Sequence, residues 1–366
     1  MQLTKRVNEN RLSEGEYRGL KDRLSYSSMK QFDNDRKAFY REMILGESRA
    51  EKDTVSKVMG SLVHLYLSDG DFNERFHLLN ANEPKGQMKE LVDNLYDRTM
   101  RSLEVDEQGN YRSTEKFEVL FMDAVQATKY DQDMKEVAFK GKDMQKIIGM
   151  FAESDAEIYY KEKLAATGKS VVSVATITKA EQIVEKLRGH SYTYEYANAR
   201  TEGDVEVFHE LAILFEHEGV PYKSMLDKVI VDRKVKTIQP VDWKTSWNNE
   251  EPDYAYLKFG YYLQGTMYDL ALNKWKKEHG LDDYTILPMK FIFCDTAGWA
   301  DPVVLNLTMD DLKRGWNGFS IGRYKYRGLN DLMHDISWHV ETGNWATSKA
   351  TFDKKGEIFL SINYED

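Results

Sequence analysis

The sequence is poor in cysteine, with Cys294 as its only one. A single thiol cannot form a disulfide within the chain or supply a four-cysteine zinc or iron–sulfur site. The absence of structural disulfides is typical of a reducing compartment. We therefore expect a cytoplasmic protein in which Cys294 is a small buried hydrophobic residue.

Long apolar runs and an excess of positive charge are also missing. No apolar stretch approaches the ~18 residues of a membrane helix, and the first residues, MQLTKRVNENRLSEGEYRG, lack the apolar segment of a signal peptide. The formal net charge of −10 argues against broad attraction to a polyanion. Any contact with nucleic acid must then be local, with carboxylates holding divalent cations and a few basic side chains along the path.

The chain does have the composition of a folded globular protein. Its 366 residues, 41% of them apolar, can form about two domains or one domain with a large insertion. We predict N-terminal helices over residues 1–75 and a mostly helical insertion over 76–200. A mixed α/β core is predicted over 201–310, followed by a helical C-terminal region with a short strand over 311–366.

Local patterns predict the elements of these segments. A serine-capped helix is expected over 25–46 and a second helix over 58–69. Runs rich in β-formers at 205–215, 221–231 and 237–243 predict a meander of strands, followed by a long helix from about 253 to 278. The runs TILPMKFIFCD and PVVLNLT predict two more strands, and EIFLSI at 357–362 predicts a last one. Strands flanking a helix indicate a mixed α/β fold.

Two familiar motifs fail on inspection. The letters TGKS at 167–170 lack the earlier glycine of a phosphate-binding loop, because Lys163 occupies that position. His209-Glu210 begins like a metalloprotease motif, but Ile213 stands where the second histidine belongs. These observations exclude a phosphate-binding loop of an NTPase and a metalloprotease site of this type.

The stretch VDWKT at 241–245 carries the strongest chemical signal. Side chains two apart in a strand point to the same face, so Asp242 and Lys244 should project together while Val241 and Trp243 point away. Asp227 lies in an otherwise apolar run, where a buried carboxylate needs a cationic partner. If the strands carrying Asp227 and Asp242 are antiparallel neighbours, the two acids can share a divalent ion, and oxygen ligands favour Mg²⁺ or Mn²⁺.

MLD at 225–227 followed by VDWKT is similar to the PD-(D/E)xK nuclease signature. Further motifs stand in the order of its RecB-type branch, which are Ser27-Ser28, Phe39-Tyr40, Leu45-Gly46, Gly60-x-x-x-His64, Glu210, Asp227, Asp242, Lys244 and Gln264-x-x-x-Tyr268. The chain most closely resembles the phage exonuclease VIII (RecE-type) group, over about residues 25 to 270. It departs from the pattern at Leu226, which replaces the proline of the name, and it lacks the four cysteines of the iron–sulfur relatives.

This resemblance implies a restriction-endonuclease-like mixed sheet flanked by helices, with residues 201–310 as the nuclease core. It implies an Mg²⁺-dependent deoxyribonuclease in which Mn²⁺ can substitute. The metal would be held by His64, Asp227, Asp242 and the Trp243 carbonyl, with Glu210 as a further candidate. The catalytic set would be Asp227, Asp242, Lys244, Gln264 and Tyr268, with Lys244 as the catalytic lysine.

The expected activity is exonucleolytic cleavage at duplex DNA ends, which exposes single strands for recombination or repair. Two alternatives stay open, a structure-specific endonuclease or helicase-associated nuclease subunit, and a catalytically inactive DNA-binding recombination or inhibitor protein of the same fold. The resemblance also implies a ring-like homo-oligomer, a single-strand annealing partner and a phage origin.

Structural readings compete at several positions. Taken alone, Asp242 and Lys244 would be an ordinary ion pair at a strand end. Taken alone, His64 would be a partly buried histidine, and Glu210 would be a structural partner for a lysine. Tyr261, in a stripe with Phe259 and Tyr262, is expected in core packing. Four lysines are expected as ordinary surface residues, with local positive charge near the site as the alternative, and these are Lys57, Lys223, Lys228 and Lys258.

Overall fold

The computed structural model describes residues 12, 14–47, 54–105, 111–246 and 251–357. The chain divides into two compact units. The first comprises residues 1–52, 66–68 and 182–366, and the second comprises residues 53–65 and 69–181.

The described strands, in chain order, are β1 (Phe76–Leu78), β2 (Leu103–Val105), β3 (Tyr111–Ser113), β4 (Ser170–Val172), β5 (Val205–His217), β6 (Val220–Asp232), β7 (Thr237–Ser246), β8 (Thr285–Ile286), β9 (Lys290–Asp295), β10 (Val303–Asn306), β11 (Phe319–Ile321) and β12 (Tyr324–Tyr326).

The described α-helices are α1 (Glu14–Gly19), α2 (Tyr26–Asn34), α3 (Arg36–Phe39), α4 (Val55–Leu67), α5 (Phe72–Arg75), α6 (Gln87–Arg101), α7 (Phe117–Lys129), α8 (Met144–Glu153), α9 (Asp155–Ala165), α10 (Val174–Gly189), α11 (Tyr194–Ala197), α12 (Pro252–Phe259), α13 (Tyr261–Glu278), α14 (Met309–Asn317), α15 (Leu329–Thr342) and α16 (Lys349–Asp353). A π-helical turn, Tyr40–Ile44, follows α3. None of the helices in these described ranges combines the length and hydropathy needed to cross a bilayer.

A mixed sheet forms the centre of the first unit. Its strand order is β10-β9-β7-β6-β5, with β8 also pairing with β7. β5, β6 and β7 run antiparallel to one another, whereas β7 and β9 are parallel. The predicted meander and the mixed α/β fold are therefore confirmed.

Helix α13 lies in the apolar core of this unit. Its buried side chains Leu263, Met267 and Leu272 belong to the same cluster as Phe291 of β9 and Leu332 of α15. Helix α14 comes close to α13 because it carries a glycine at the contact. A Cβ atom on Gly315 would lie only 2.7 Å from the Tyr262 carbonyl oxygen, so a larger residue requires the two helices to separate.

Two helices that the sequence predicts as continuous are interrupted in the structure. The helix predicted over 25–46 begins with Ser25 as its cap, as expected, but stops at Asn34, because the Asp35 side chain accepts from the Ala38 amide at 3.0 Å and starts α3. The helix predicted over 253–278 is broken at Gly260, whose φ of 70° is left-handed.

Two lysines of β6 are buried, so the prediction that they lie at the surface is wrong. Lys228 donates to the carbonyl oxygens of Tyr196 and Ala199 at 2.7 and 3.1 Å. Lys223 donates to those of Tyr17 and Leu20 at 2.7 and 2.6 Å. Each ammonium group thus satisfies backbone acceptors instead of providing charge for a ligand.

The second unit is mostly helical, with its own core built from side chains of α6 to α9, including Leu91, Leu95, Phe121, Ile147 and Tyr160. Its short strands form two small pairs, with β1 parallel to β4 and β2 antiparallel to β3. The strand predicted over 357–362 lies, beyond Glu357, outside the described residues.

Candidate active site

Three carboxylic acids lie level with one another across β5, β6 and β7. His209 pairs with Lys228 and Leu211 with Leu226, which places Glu210 level with Asp227. Between β6 and β7, Lys228 pairs with Val241, so the next position along the same register places Asp227 level with Asp242. The predicted approach of the two aspartates follows from this antiparallel pairing.

The backbone at Glu210 is unusual for its residue type. Its φ is 49°, in the left-handed region, within a strand whose flanking pairs are regular. Such a conformation costs a glutamate about 1–3 kcal/mol, which the surrounding structure must offset, and residues held in this way often occur at functional sites.

Asp242 and Lys244 form a largely buried ion pair on one face of β7. The Lys244 ammonium contacts Asp242 Oδ1, with the aspartate 1% and the lysine 16% exposed. The ammonium also lies 4.8 Å from the Tyr261 ring centre and 5.4 Å from that of Phe291, within cation–π range. Trp243, between them in sequence, is buried.

Burial and charge act in opposite directions on Lys244. Burial alone would lower the pKa of its ammonium group, but the carboxylates of Asp242 and Asp227 outweigh burial and raise that pKa above its ordinary value. Lys244 is therefore a stable cation at neutral pH, suited to balancing negative charge and not to accepting a proton.

Asp227 is fixed by the backbone of the neighbouring strand. Its Oδ2 accepts from the Trp243 amide at 2.9 Å. This bond ties the Asp227 carboxylate to β7 beside Asp242, so β6 and β7 hold the two acids in a defined relation.

Gln264 of α13 links Asp242 to Tyr268 of the same helix by hydrogen bonds. The Gln264 amide nitrogen donates to Asp242 Oδ2 at 3.0 Å and to the Tyr268 hydroxyl at 2.9 Å. Burial raises the pKa of Tyr268 well above its usual range, and the nearby charges of Asp242 and Asp227 raise it further, so the phenol stays neutral. Gln264 therefore contacts Asp242 directly and Tyr268 contacts Gln264, while the catalytic roles of both residues stay predictions.

The side-chain carbonyl oxygen of Gln264 has no hydrogen-bond partner among the described residues. Gln264 is only 6% exposed, yet its Oε1 makes no hydrogen bond within the described part of the chain. A buried carbonyl oxygen left in this way costs free energy, so a bound water, ion or substrate group would be stabilised beside it.

Sequence reasoning missed one aromatic residue of the site and one contact of a second. Tyr261 packs against the core as expected, with its ring centre 5.3 Å from that of Phe291, but its ring also lies 4.8 Å from the Lys244 ammonium. Tyr26 of α2 donates its hydroxyl to the Phe259 carbonyl. Burial raises the Tyr26 pKa, and Tyr261 and Asp242 raise it further. The only sequence signal for Tyr26 was its position directly before the Ser27-Ser28 motif.

In the described ranges, no group of three His, Cys, Asp or Glu side chains is arranged to hold an ion. The two aspartates contribute oxygen donors from adjacent strands, which is the donor type of Mg²⁺ and Mn²⁺. Burial raises the pKa of the Cys294 thiol to about 12, and this removes the one thiolate that a softer metal could use.

His64 belongs to α4, and its part of that helix lies in the second unit. Its role as a metal ligand stays a prediction, as do the roles of Glu210 and of the Trp243 carbonyl.

Comparison with known proteins gives little further information. No family model matches the chain, and no curated protein matches it. Among solved structures, one similar chain is the crystal structure of a "putative exonuclease" from Eubacterium rectale, with a TM-score of 0.44, 11% identity and 96% of each chain covered. A similarity at this level does not assign an activity, so the functional argument rests on the site.

Proposed function

We propose that the protein is a divalent-metal-dependent deoxyribonuclease that hydrolyses phosphodiester bonds at the ends of duplex DNA. The observation that carries the proposal is the arrangement of Asp227, Asp242 and Lys244. Two acids lie level on adjacent strands, and a lysine with a raised pKa contacts one of them. The order of the surrounding motifs in the sequence favours DNA as the substrate.

The donor set fits a hard cation. Asp227 and Asp242, with the Trp243 carbonyl, would hold Mg²⁺ or Mn²⁺, and Glu210 is a further candidate ligand. When bound, the metal supplies charge neutralisation at the phosphate and lowers the pKa of an attacking water.

The protein residues have separate tasks in this scheme. Lys244 donates hydrogen bonds and balances the charge that develops on the phosphate oxygens. Gln264 fixes the orientation of Asp242 through Oδ2 and presents its own Oε1 towards a ligand or water. Tyr268 accepts from Gln264 and holds that amide in place.

Digestion of linear and covalently closed circular duplex of the same sequence tests the proposal. We expect Mg²⁺-dependent release of nucleotides from the linear form, loss of activity with EDTA, and at least about 100-fold lower activity for Lys244→Gln. Lys313→Gln serves as a control, because Lys313 is an exposed lysine of the same unit.

Each alternative activity has its own outcome. Equal cleavage of closed circles would indicate an endonuclease. No cleavage of either substrate, with DNA binding intact, would indicate an inactive DNA-binding protein. Equal activity of wild type and Lys244→Gln would refute the assigned site.

A further inference from the structure

An aromatic side chain is exposed beside the candidate active site. Phe259 is the last residue of α12, directly before the left-handed Gly260. The break in the helix turns the chain so that Phe259 is 41% exposed, while Ala255 and Tyr262 on either side of it are buried. Tyr254, on the same short helix, is also exposed.

Two ammonium groups lie near the Phe259 ring. Lys30 Nζ from α2 is 5.4 Å from the ring centre, and Lys258 Nζ from α12 is 5.5 Å from it. Within the described residues, neither ammonium has a carboxylate partner within 4.0 Å. In a chain with a formal charge of −10, two unpaired cations around one exposed ring form a local positive surface with a flat apolar centre.

A chain of ring contacts links this surface to Lys244 of the candidate site. The Phe259 and Tyr261 ring centres are 5.8 Å apart, and the Tyr261 ring centre is 4.8 Å from Lys244 Nζ. At roughly 3.4 Å per stacked base, these two steps together span at most about three nucleotides. A strand whose scissile phosphate lies at Lys244 therefore has a base within reach of Phe259.

We infer that Phe259, Lys30 and Lys258 form a docking site for the end of a single DNA strand. Phe259 stacks on a base one to three nucleotides from the cleaved phosphate, and the two lysines bind neighbouring phosphates. Base–aromatic stacking is tolerant of sequence, as a general exonuclease requires. The inference rests on the proposed nuclease function, because it uses Lys244 as the position of the scissile phosphate.

Terminal stacking can be measured directly. Phosphorothioate-linked single-stranded oligonucleotides resist cleavage, and 2-aminopurine placed at the 5′ or the 3′ end loses fluorescence when it stacks on a ring. Binding is titrated in Mg²⁺ for wild type, Phe259→Ala, Phe259→Trp and Lys30→Gln/Lys258→Gln. Phe117→Ala is the matched control, because Phe117 is 45% exposed and belongs to the second unit.

The variants separate the loss of stacking from the loss of phosphate contacts. Phe259→Ala should lose the quenching of one of the two labelled ends and bind about 10-fold more weakly, whereas Phe259→Trp should retain both properties. The double lysine variant should keep the quenching but reduce the slope of log affinity against log salt by about 1.4, at roughly 0.7 per phosphate contact. Phe117→Ala should behave as wild type.

The inference is overturned if Phe259→Ala matches wild type and Phe117→Ala in quenching and affinity, or if wild type shows no quenching of either labelled end. A parallel digestion of linear duplex separates the two proposals. Cleavage by wild type with no effect of Phe259→Ala refutes only the docking site, whereas quenching by Phe259 without any cleavage refutes only the nuclease.

Discussion

Replacing Lys244 with glutamine is expected to destabilise the first unit by about 3 kcal/mol. The change leaves the Asp242 carboxylate, which is 1% exposed, without its cation. Breaking a buried pair from one side costs roughly 3–5 kcal/mol, and we take the lower limit because Lys244 keeps 16% exposure and Gln264 still donates to Asp242.

Tryptophan fluorescence during urea unfolding measures this loss of stability for the first unit. All seven tryptophans lie at or beyond position 243, in the first unit. Lys313→Gln is the control. Its partner Asp310 is 3.4 Å away, both side chains are exposed, and an exposed pair contributes below about 1 kcal/mol. A Lys244→Gln cost no larger than that of the control would refute the buried ion pair.

The difference in unfolding free energy between wild type and Lys244→Gln should depend on pH in a defined direction. Because the folded-state pKa of Lys244 is raised above 10.5, its contribution to stability is fully present below pH 10.5. It is lost as the pH rises through the folded-state pKa. The gap in unfolding free energy between wild type and Lys244→Gln should therefore be constant from pH 7 to 9 and shrink above pH 10.5. A gap that grows at high pH would contradict this assignment.

Three further predictions concern neighbouring residues. Gln264→Leu removes a hydrogen bond to a buried carboxylate and should cost about 1.5–3 kcal/mol by urea unfolding, and a cost near zero would contradict the contact. Glu210→Gly should be more stable than Glu210→Ala by about 1 kcal/mol, because only glycine adopts a φ of 49° without strain, and the reverse order would show that the backbone there is not strained. Asp295 accepts from the amides of Ala297, Trp299 and Ala300, which lower its pKa although burial alone would raise it. The stability difference between wild type and Asp295→Asn should therefore be present at pH 7 and decline as the pH falls below 3.8, whereas a difference unchanged down to pH 2 would contradict the bonding.

The sheet and its acids were predictable because both depend on local patterns. Runs rich in β-formers at 221–231 and 237–243, with a short turn between them, favour an antiparallel pair, and the register of that pair then brings Asp227 level with Asp242. The four-residue spacing of Gln264 and Tyr268 places them on one helical face, which the α13 contacts bear out.

The burial of Lys228, the exposure of Phe259 and the interruption at Asp35 could not be predicted from local sequence patterns. Lysines in a strand usually indicate a solvent-facing side, but Lys228 is buried because distant carbonyl oxygens accept from it. The exposure of Phe259 follows from the left-handed Gly260, in a stretch whose periodicity suits one continuous helix. The helix predicted over 25–46 is interrupted at Asp35, a residue type that favours the N-cap position. Because the apolar repeat continues past Asp35, the sequence also suits an uninterrupted helix.

The most direct test of the account is a crystal structure of the protein soaked with Mn²⁺, with the metal located by its anomalous scattering. We expect one strong peak about 2.1 Å from carboxylate oxygens of both Asp227 and Asp242, and its other ligands would show whether Glu210, His64 or the Trp243 carbonyl takes part. Asp242→Asn, soaked in the same way, should lose the peak. A manganese ion that contacts neither aspartate, or no bound ion at all, would contradict the proposed metal-dependent nuclease site.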